Sequence, residues 1–454
     1  MLRSLRILQK LALPALLAMA RMRAQTPVDP CLAQSEAQRW NLYFQSTGIG
    51  DMHPGFPAQY SGPNSLPDYM EKRVSWTGTI FADLRLTDDL DIVINPEIAG
   101  GRGFGMVTGL AGFPNGEIPR VGAATPTLYL ARGFLRYVAP LGGDAELVES
   151  GPNQLAGSQA SDRFTFVAGK FAATDFFDNN TYSHDPRTQF MNWSIMDDGA
   201  WDYPADVRGY TVGVYEELTF GGWSVRNATM MEPSVANGPL LDTHVTKNRG
   251  EAVEVERRFL IGSHPGAVRT MGFLNRDDGG SFLEALHNAE LTGTTPTLDG
   301  TRRNGALKYG FGVNIEQELT RDIGVFGRYG WADGKTEAWA FTQIDRTLSG
   351  GVSLGGRIWR RPQDHVGAAF ARNYLSGDQR AFLAAGGLGF IIGDGALDYA
   401  PEQVFETYYA VPLSYGFTAS LDYQHFVDPA YNQARGPVSV YSLRLHWEAS
   451  WRPH

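Results

Sequence analysis

The sequence predicts an all-β protein: a closed antiparallel transmembrane β-barrel of about 16 strands, with 18 also within range. Three observations predict it. Hydrophobicity alternates with period two along most of the chain, a strand signature. Glycine contributes 53 of 454 residues and aromatic residues 12%, against a usual glycine share of ~7%. The N-terminus reads as a secretory signal.

Arg3, Arg6 and Lys10 form a basic start, and Leu11 to Ala20 is an apolar stretch. Ala18-Met19-Ala20 has small-x-small spacing, and Ala24 is a second cleavage candidate. This is the layout of a secretory signal peptide. The chain then divides into a signal peptide at 1–24, an N-terminal linker at 25–38 and a barrel at 39–451. Past the signal, the chain carries 34 basic and 49 acidic residues, a net charge of −15. Nucleic acid is not an expected partner, because neutralising phosphates needs a basic surface. The longest uncharged, mostly apolar run beyond the signal is Ala381 to Gly393. That is too short for a spanning helix, which needs roughly 18 residues. A single cysteine, Cys31, gives neither a disulfide framework nor a cysteine metal site.

The first hairpin sets Trp76, Ile80, Ala82, Leu84 and Leu86 against Thr77, Thr79, Asp83 and Arg85. After Thr87-Asp88-Asp89, Leu90, Ile92, Ile94 and Ile98 alternate with Asp91, Asn95 and Glu97. The strand from Leu128 to Tyr137 places Arg132, Phe134 and Arg136 on one side. Lys170, Arg208 and Arg269 are placed in other strands. In Lys308 to Trp331, Tyr309, Phe311, Val313 and Ile315 share one face, opposite Lys308, Asn314, Glu316 and Glu318. The return strand puts Ile323, Val325, Tyr329 and Trp331 opposite Phe326 and Arg328. Toward the end, Phe405 to Leu413 and Phe417 to Tyr423 flank Ser414-Tyr415-Gly416. The last strand sets Tyr441, Leu443, Leu445 and Trp447 against Arg444, His446 and Glu448.

Two features favour a membrane barrel over a soluble sandwich. Aromatics fall at strand ends, at Trp76, Tyr309, Tyr329, Trp331 and Trp447, as interfacial girdles require. Short turns at 87–89, 320–322 and 414–416 contrast with long loops at about 99–126, 172–205, 275–306 and 427–437, the periplasmic and external connections of such barrels. In hydrocarbon every backbone polar group must be paired, so the sheet has to close. Its apolar face then meets lipid, and its polar face lines the interior.

No catalytic motif stands out, and no nucleophile elbow, zinc-protease helix or phosphate-binding loop is present. Gly100 to Gly105 lacks a following helix and reads as a flexible loop, so no cofactor and no metal is expected. The segment from Ala99 to Pro126 is placed to fold into the lumen as a constriction. Arginines outnumber lysines 33 to 6, and mixed charge in a narrow pore sets solute selectivity. The expected pore-lining residues are Arg85, Glu97, Arg132, Phe134, Arg136, Lys170, Arg208 and Arg269. Arg132 and Glu97 are expected at the constriction, donating to and accepting from sugar hydroxyls. The competing expectation is that they satisfy each other as a structural pair.

Several segments carry a resemblance: AGKFAATDFFDNNTYSHDPRTQFMNW from Ala168 to Trp193, NPEIAGGRGF, GLAGFPNGEIPRV, PEQVFETYYAVPL, LDYQHFVDPAYN and VSVYSLRLHW. In this order the chain resembles the OprB-type carbohydrate-selective porins of Gram-negative outer membranes, from about Trp40 to Trp451. The resemblance implies a 16-stranded barrel that passes small sugars down a gradient through a constriction of arginines and acidic residues. It carries over Glu97, Arg132 and Lys170 as lumen residues. It implies outer-membrane lipid as surroundings and leaves a homo-oligomer open. Two other readings stand beside it: a general or anion-preferring diffusion channel, and a barrel enzyme acting on lipid or polysaccharide.

Overall fold

The computed structural model describes residues 37–118 and 124–451. The expected signal peptide at 1–24 and the linker up to residue 36 lie outside the described residues.

Sixteen antiparallel strands, each paired to the next in sequence, form a closed barrel. They are β1 (Trp40–His53), β2 (Glu71–Thr87), β3 (Leu90–Gly101), β4 (Thr127–Val148), β5 (Gly157–Phe171), β6 (Thr211–Phe220), β7 (Trp223–Met230) and β8 (Arg249–Ile261). The second half comprises β9 (His264–Asp277), β10 (Ala306–Thr320), β11 (Ile323–Ala332), β12 (Arg346–Gly355), β13 (His365–Tyr374), β14 (Glu402–Pro412), β15 (Phe417–Val427) and β16 (Val438–Trp451). Closure comes from β1 against β16, with register from Leu42↔Trp451 to Met52↔Tyr441. This ladder removes the sheet edge, the condition for crossing hydrocarbon.

Period-two alternation is obeyed on the wall. On β10, Asn314 and Glu316 are buried, whereas Phe311, Ile315 and Leu319 are exposed. On β16, Arg444 and His446 face in, and Tyr441, Leu443 and Leu445 face out. Aromatics ring both ends of the apolar band. Trp331 packs on Tyr309 and Phe311 near the loop end. Trp40 meets Trp451 edge-on, and Phe417 lies beside Trp447, near the turn end.

Connections alternate strictly. Turns such as 88–89, 221–222, 262–263 and 321–322 lie at one end. The long connections at the other end are 54–70, 102–126, 172–210, 231–248, 278–305, 333–345, 375–401 and 428–437. Several of these turn inward: parts of 333–345 and 375–401 share one buried cluster with residues of 102–118 and 172–210. Segment 102–126 buries Val107, Ala111 and Phe113, as expected of a lumen loop. Segment 172–210, expected as an external loop, is the correction. Its Phe177, Phe190, Trp193, Ile195 and Trp201 are fully buried or nearly so. So much apolar surface is unstable in water, at about 25 cal/mol per Å², and it collects inside the barrel.

The barrel wall accommodates and holds this loop. A Cβ at Gly312 or Gly330, on the lumen face, would collide with the Asp198 carboxylate. Lumen-facing carboxylates accept hydrogen bonds from the backbone amides of the inward segments. Glu254 takes Asp178 N at 2.8 Å, Glu316 takes Thr181 N at 2.6 Å, and Glu406 takes Met191 N at 2.5 Å and Asn192 N at 3.1 Å. Glu402 takes Ala111 N at 2.9 Å and Gly112 N at 2.7 Å. An inward loop carries amides that water no longer reaches, and these acceptors satisfy them.

Candidate functional site

A dense polar cluster forms where residues 115–118 and loop 172–210 meet the inner faces of β2 to β5. Local backbone aims the side chains. Pro96 brings no N–H to the ladder, and the register slips there: Asn95 opposes Arg132, while Pro96 opposes Leu130. Ala131 is the extra residue of a β-bulge. The bulge breaks the alternation, so Tyr129 and Arg132, three apart, both reach the lumen. Leu128 and Leu130 still face lipid, at 70% and 46% exposed.

Four carboxylates and four cations assemble there. Glu97 on β3 accepts from Arg187 Nη2 at 3.0 Å, Thr79 Oγ1 at 2.5 Å and Tyr210 OH at 3.0 Å, and also from Tyr129 OH. Arg187 Nε donates to Glu117 at 2.8 Å. Arg132 forks onto Asp175, with contacts of 2.7 and 2.5 Å. Lys170 on β5 pairs with Asp206 at 3.2 Å. The Arg208 guanidinium lies 4.2 Å over the Tyr129 ring. Among the described residues no carboxylate lies within ion-pair reach of Arg208, and its Nη1 has no hydrogen-bond partner. Tyr210 has Arg132 and Lys170 at 5.3 and 5.8 Å from its ring. A cavity of about 70 Å³ opens between Glu97, Glu117, Tyr129, Arg187, Arg208 and Tyr210.

The electrostatics of the loop side follow from burial and neighbours. Burial opposes charge on Arg187, but Glu117 and Glu97 outweigh it and hold the guanidinium well above its ordinary range. Burial pushes the Tyr210 phenol up, and Glu97 adds to this, so Tyr210 stays a neutral donor. The cluster therefore presents fixed, oppositely charged hydrogen-bonding groups with no net charge.

The eight expected pore residues separate into three places. Glu97, Arg132, Lys170 and Arg208 meet in this cluster. Arg208 lies in loop 172–210, not in a strand as expected, because β6 begins only at Thr211. Glu97 and Arg132 do not bond each other; each has its own loop partner. Arg85 and Arg136 lie lower, toward the turn end. Arg136 is held by Asp91 at 2.7 Å, Asp83 at 3.0 Å and the Asn153 carbonyl at 2.8 Å. Phe134 offers no open ring face, since it is 5% exposed and packs against Phe176. Arg269 is on another part of the wall, bonded to Glu256 at 2.7 Å and Glu316 at 3.3 Å. The strand expected at Leu128 to Tyr137 continues to Val148.

Sequence reasoning missed Arg187, Glu117, Asp175, Asp206, Tyr129 and Tyr210. All but Tyr129 sit in two inward connections, 102–126 and 172–210, where no periodicity marks a face. A signal was present nonetheless: Phe176, Phe177, Tyr182, Phe190, Trp193, Trp201 and Tyr203 are too many aromatics for a connection exposed to water. Among the described residues no group of three or more His, Cys, Asp or Glu side chains is arranged to hold a metal.

Known proteins agree with this architecture. OprB of Pseudomonas putida, in its high-pH structure, superposes with a TM-score of 0.66 at 15% identity, over 90% of this chain and 94% of that one. The outer membrane channel DcaP of Acinetobacter baumannii gives 0.50 at 8% identity, over 92% and 99%. At such identities the likeness concerns the fold. Comparison with curated proteins gives no match. The carbohydrate-selective porin, OprB family, matches residues 72–448, most of the chain. With this match over most of its length and its closed 16-stranded barrel, the chain belongs to that family, and it is an outer-membrane channel.

Proposed function

We propose that this channel passes small neutral saccharides by diffusion through the cluster around Glu97. The observation that carries the reading is the balance of the constriction: Arg132, Lys170, Arg187 and Arg208 against Glu97, Glu117, Asp175 and Asp206. A balanced ring imposes little ion preference, which disfavours an anion-selective channel. It offers both donors and acceptors at fixed positions, which suits polyols. Water is stripped from a hydroxyl only if the wall replaces its hydrogen bonds in both senses. Arg208 is the donor with unused capacity, and the Tyr129 ring beneath it holds the guanidinium in place.

In transit, a hydroxyl accepts from Arg208 and donates to the Glu117 carboxylate, then moves to Arg132 and Asp175. Because each carboxylate already has a cation, no single site binds tightly enough to trap the sugar. The outer membrane of a Gram-negative cell is the setting this reading requires.

Liposome swelling tests it. Vesicles carrying the protein are expected to admit glucose faster than an uncharged non-sugar solute of equal size. Arg208→Ala is expected to lower glucose entry several-fold while the barrel stays heat-resistant on gels. Equal entry of both solutes, unaffected by Arg208→Ala, would make this a non-selective pore.

A further inference from the structure

The turn end of the barrel holds a second enclosure that the constriction does not use. β4 and β5 run past the rim: β3 pairs with β4 only as far as Tyr137, but β4 and β5 stay paired out to Val148 and Gly157. The overhang does not project straight. Its register shifts at Pro140, Gly142 and Ala145, and Gly143 holds a φ of +77°, a left-handed conformation that bends the hairpin. The bent tip reaches the lumen face of β1, three strands away. Asn41, 1% exposed, donates to the Gln154 carbonyl at 2.8 Å, the Gly151 carbonyl at 3.2 Å and Ser150 Oγ at 3.1 Å. Tyr43 OH donates to the same Ser150 hydroxyl at 3.1 Å. The Gln38 side chain accepts from Ala156 N at 3.0 Å. Arg136 holds the tip from the side through the Asn153 carbonyl. The tip is thus tied down at both flanks, as a strap across this part of the periplasmic mouth.

Between strap and constriction lies a chamber of about 410 Å³. Its lining includes Arg85, Asp91, Arg136, Gln159, Phe176 and Glu217. Phe176 directly follows Asp175, the partner of Arg132, so one stretch of the inward loop serves both the charged cluster and the chamber wall. One face of Phe176 is stacked on Tyr215, with centroids 4.2 Å apart and 19° between planes. That stack fixes a half-buried aromatic at the chamber wall. Arg85 is half-buried, and no hydrogen bond or ion pair of its side chain occurs among the described residues, whereas Arg136 is fully engaged.

We propose that this chamber is a second saccharide site, occupied after the constriction and before release, with the strap as its floor. Arg85 supplies the free donor, Asp91 and Glu217 supply acceptors, and Phe176 supplies an apolar surface for the C–H side of a sugar ring. Two weak sites in series let a sugar leave the constriction without a return to bulk water. The proposal rests on the saccharide reading above.

Single-channel recording with glucose or maltose added to one side at a time tests it. Sugar from the turn side reaches the chamber first, and sugar from the loop side reaches the constriction first. In Arg85→Ala, block by turn-side sugar is expected to weaken about tenfold, the loss of one hydrogen bond to a charged group, with loop-side block nearly unchanged. Asn41→Leu, which frees the strap and leaves the Arg85, Asp91, Glu217 and Phe176 side chains unchanged, is expected to shorten turn-side dwell times. Wild-type block from both sides that neither variant alters would overturn the chamber and leave the saccharide channel standing. Absence of any block in the wild type, from either side, would overturn both.

Discussion

Two parts of the lumen wall are built from the same side chains and end in different states. On β6 to β11, Arg226 pairs with Glu217, Glu254 and Glu256, Arg269 with Glu256 and Glu316, and Arg328 with Asp178. These three guanidiniums are sealed, with side chains 6%, 6% and 0% exposed. At β2 to β5 and the adjoining loop the cations are less covered: Arg132 is 15% and Lys170 25% exposed, and Arg208 of loop 172–210 has no carboxylate partner among the described residues. The source of the partners makes the difference. Arg226 and Arg269 are closed in by carboxylates of neighbouring strands, whereas Arg132 and Lys170 take Asp175 and Asp206 from loop 172–210. Arginine on a lumen face is therefore no mark of a transport site by itself; what covers it decides. The sealed wall anchors the loop, and the open wall works with the anchored loop to shape the pore.

The strongest way to break this comparison is to cut an anchor. Arg328 donates to Asp178 Oδ1 at 3.1 Å and to the Ile195 and Ser183 carbonyls at 2.9 and 2.6 Å. Arg328→Ala leaves the Asp178 carboxylate buried and unpaired, a loss of about 3–5 kcal/mol. Urea unfolding followed by tryptophan fluorescence is expected to show this loss, together with a larger, noisier conductance as the loop loosens. A variant as stable as the wild type would mean that the sealed wall is not the anchor.

A smaller effect comes from Asp198, in the same loop. Burial and the nearby Asp178 carboxylate push its pKa up to about 8, from 3.8. Asp198 is thus neutral in the folded loop over a range where it is ionised in the unfolded chain. The folded state binds more protons, so stability falls as pH rises from about 4 to about 8 and levels off above that. Asp198→Asn is expected to flatten the slope of unfolding midpoint against pH across this window. An unchanged slope would show that the loop admits the charged carboxylate without cost.

The contrast also separates what was legible in the sequence from what was not. Lipid-facing Ile92, Phe311 and Leu443 and lumen-facing Asp83, Asn314 and Arg444 follow from period two, because a strand has only two faces. The turn end was readable from Asp88-Asp89 and Ser414-Tyr415-Gly416 for the same reason: short connections leave few conformations. Glu97, Arg132 and Lys170 were legible as lumen residues, but their partners were not. Arg187 lies 90 residues from Glu97, in a loop whose path is set by tertiary packing and the wall carboxylates. Arg269 shows the same limit from the other side. Its strand position was readable, whereas its cover, Glu256 opposite it on β8 and Glu316 diagonal to it on β10, depends on which neighbours the closed barrel brings together.

The most direct measurement of the central claim is ion current through the protein in a planar bilayer, with and without glucose, under a salt gradient. The balanced, partly open constriction predicts a reversal potential near zero and a reversible, dose-dependent fall in current with glucose. That fall should be weakened several-fold by Arg208→Ala and unaffected by Arg269→Lys on the sealed wall. A strongly anion-selective reversal potential with no response to glucose would contradict the account.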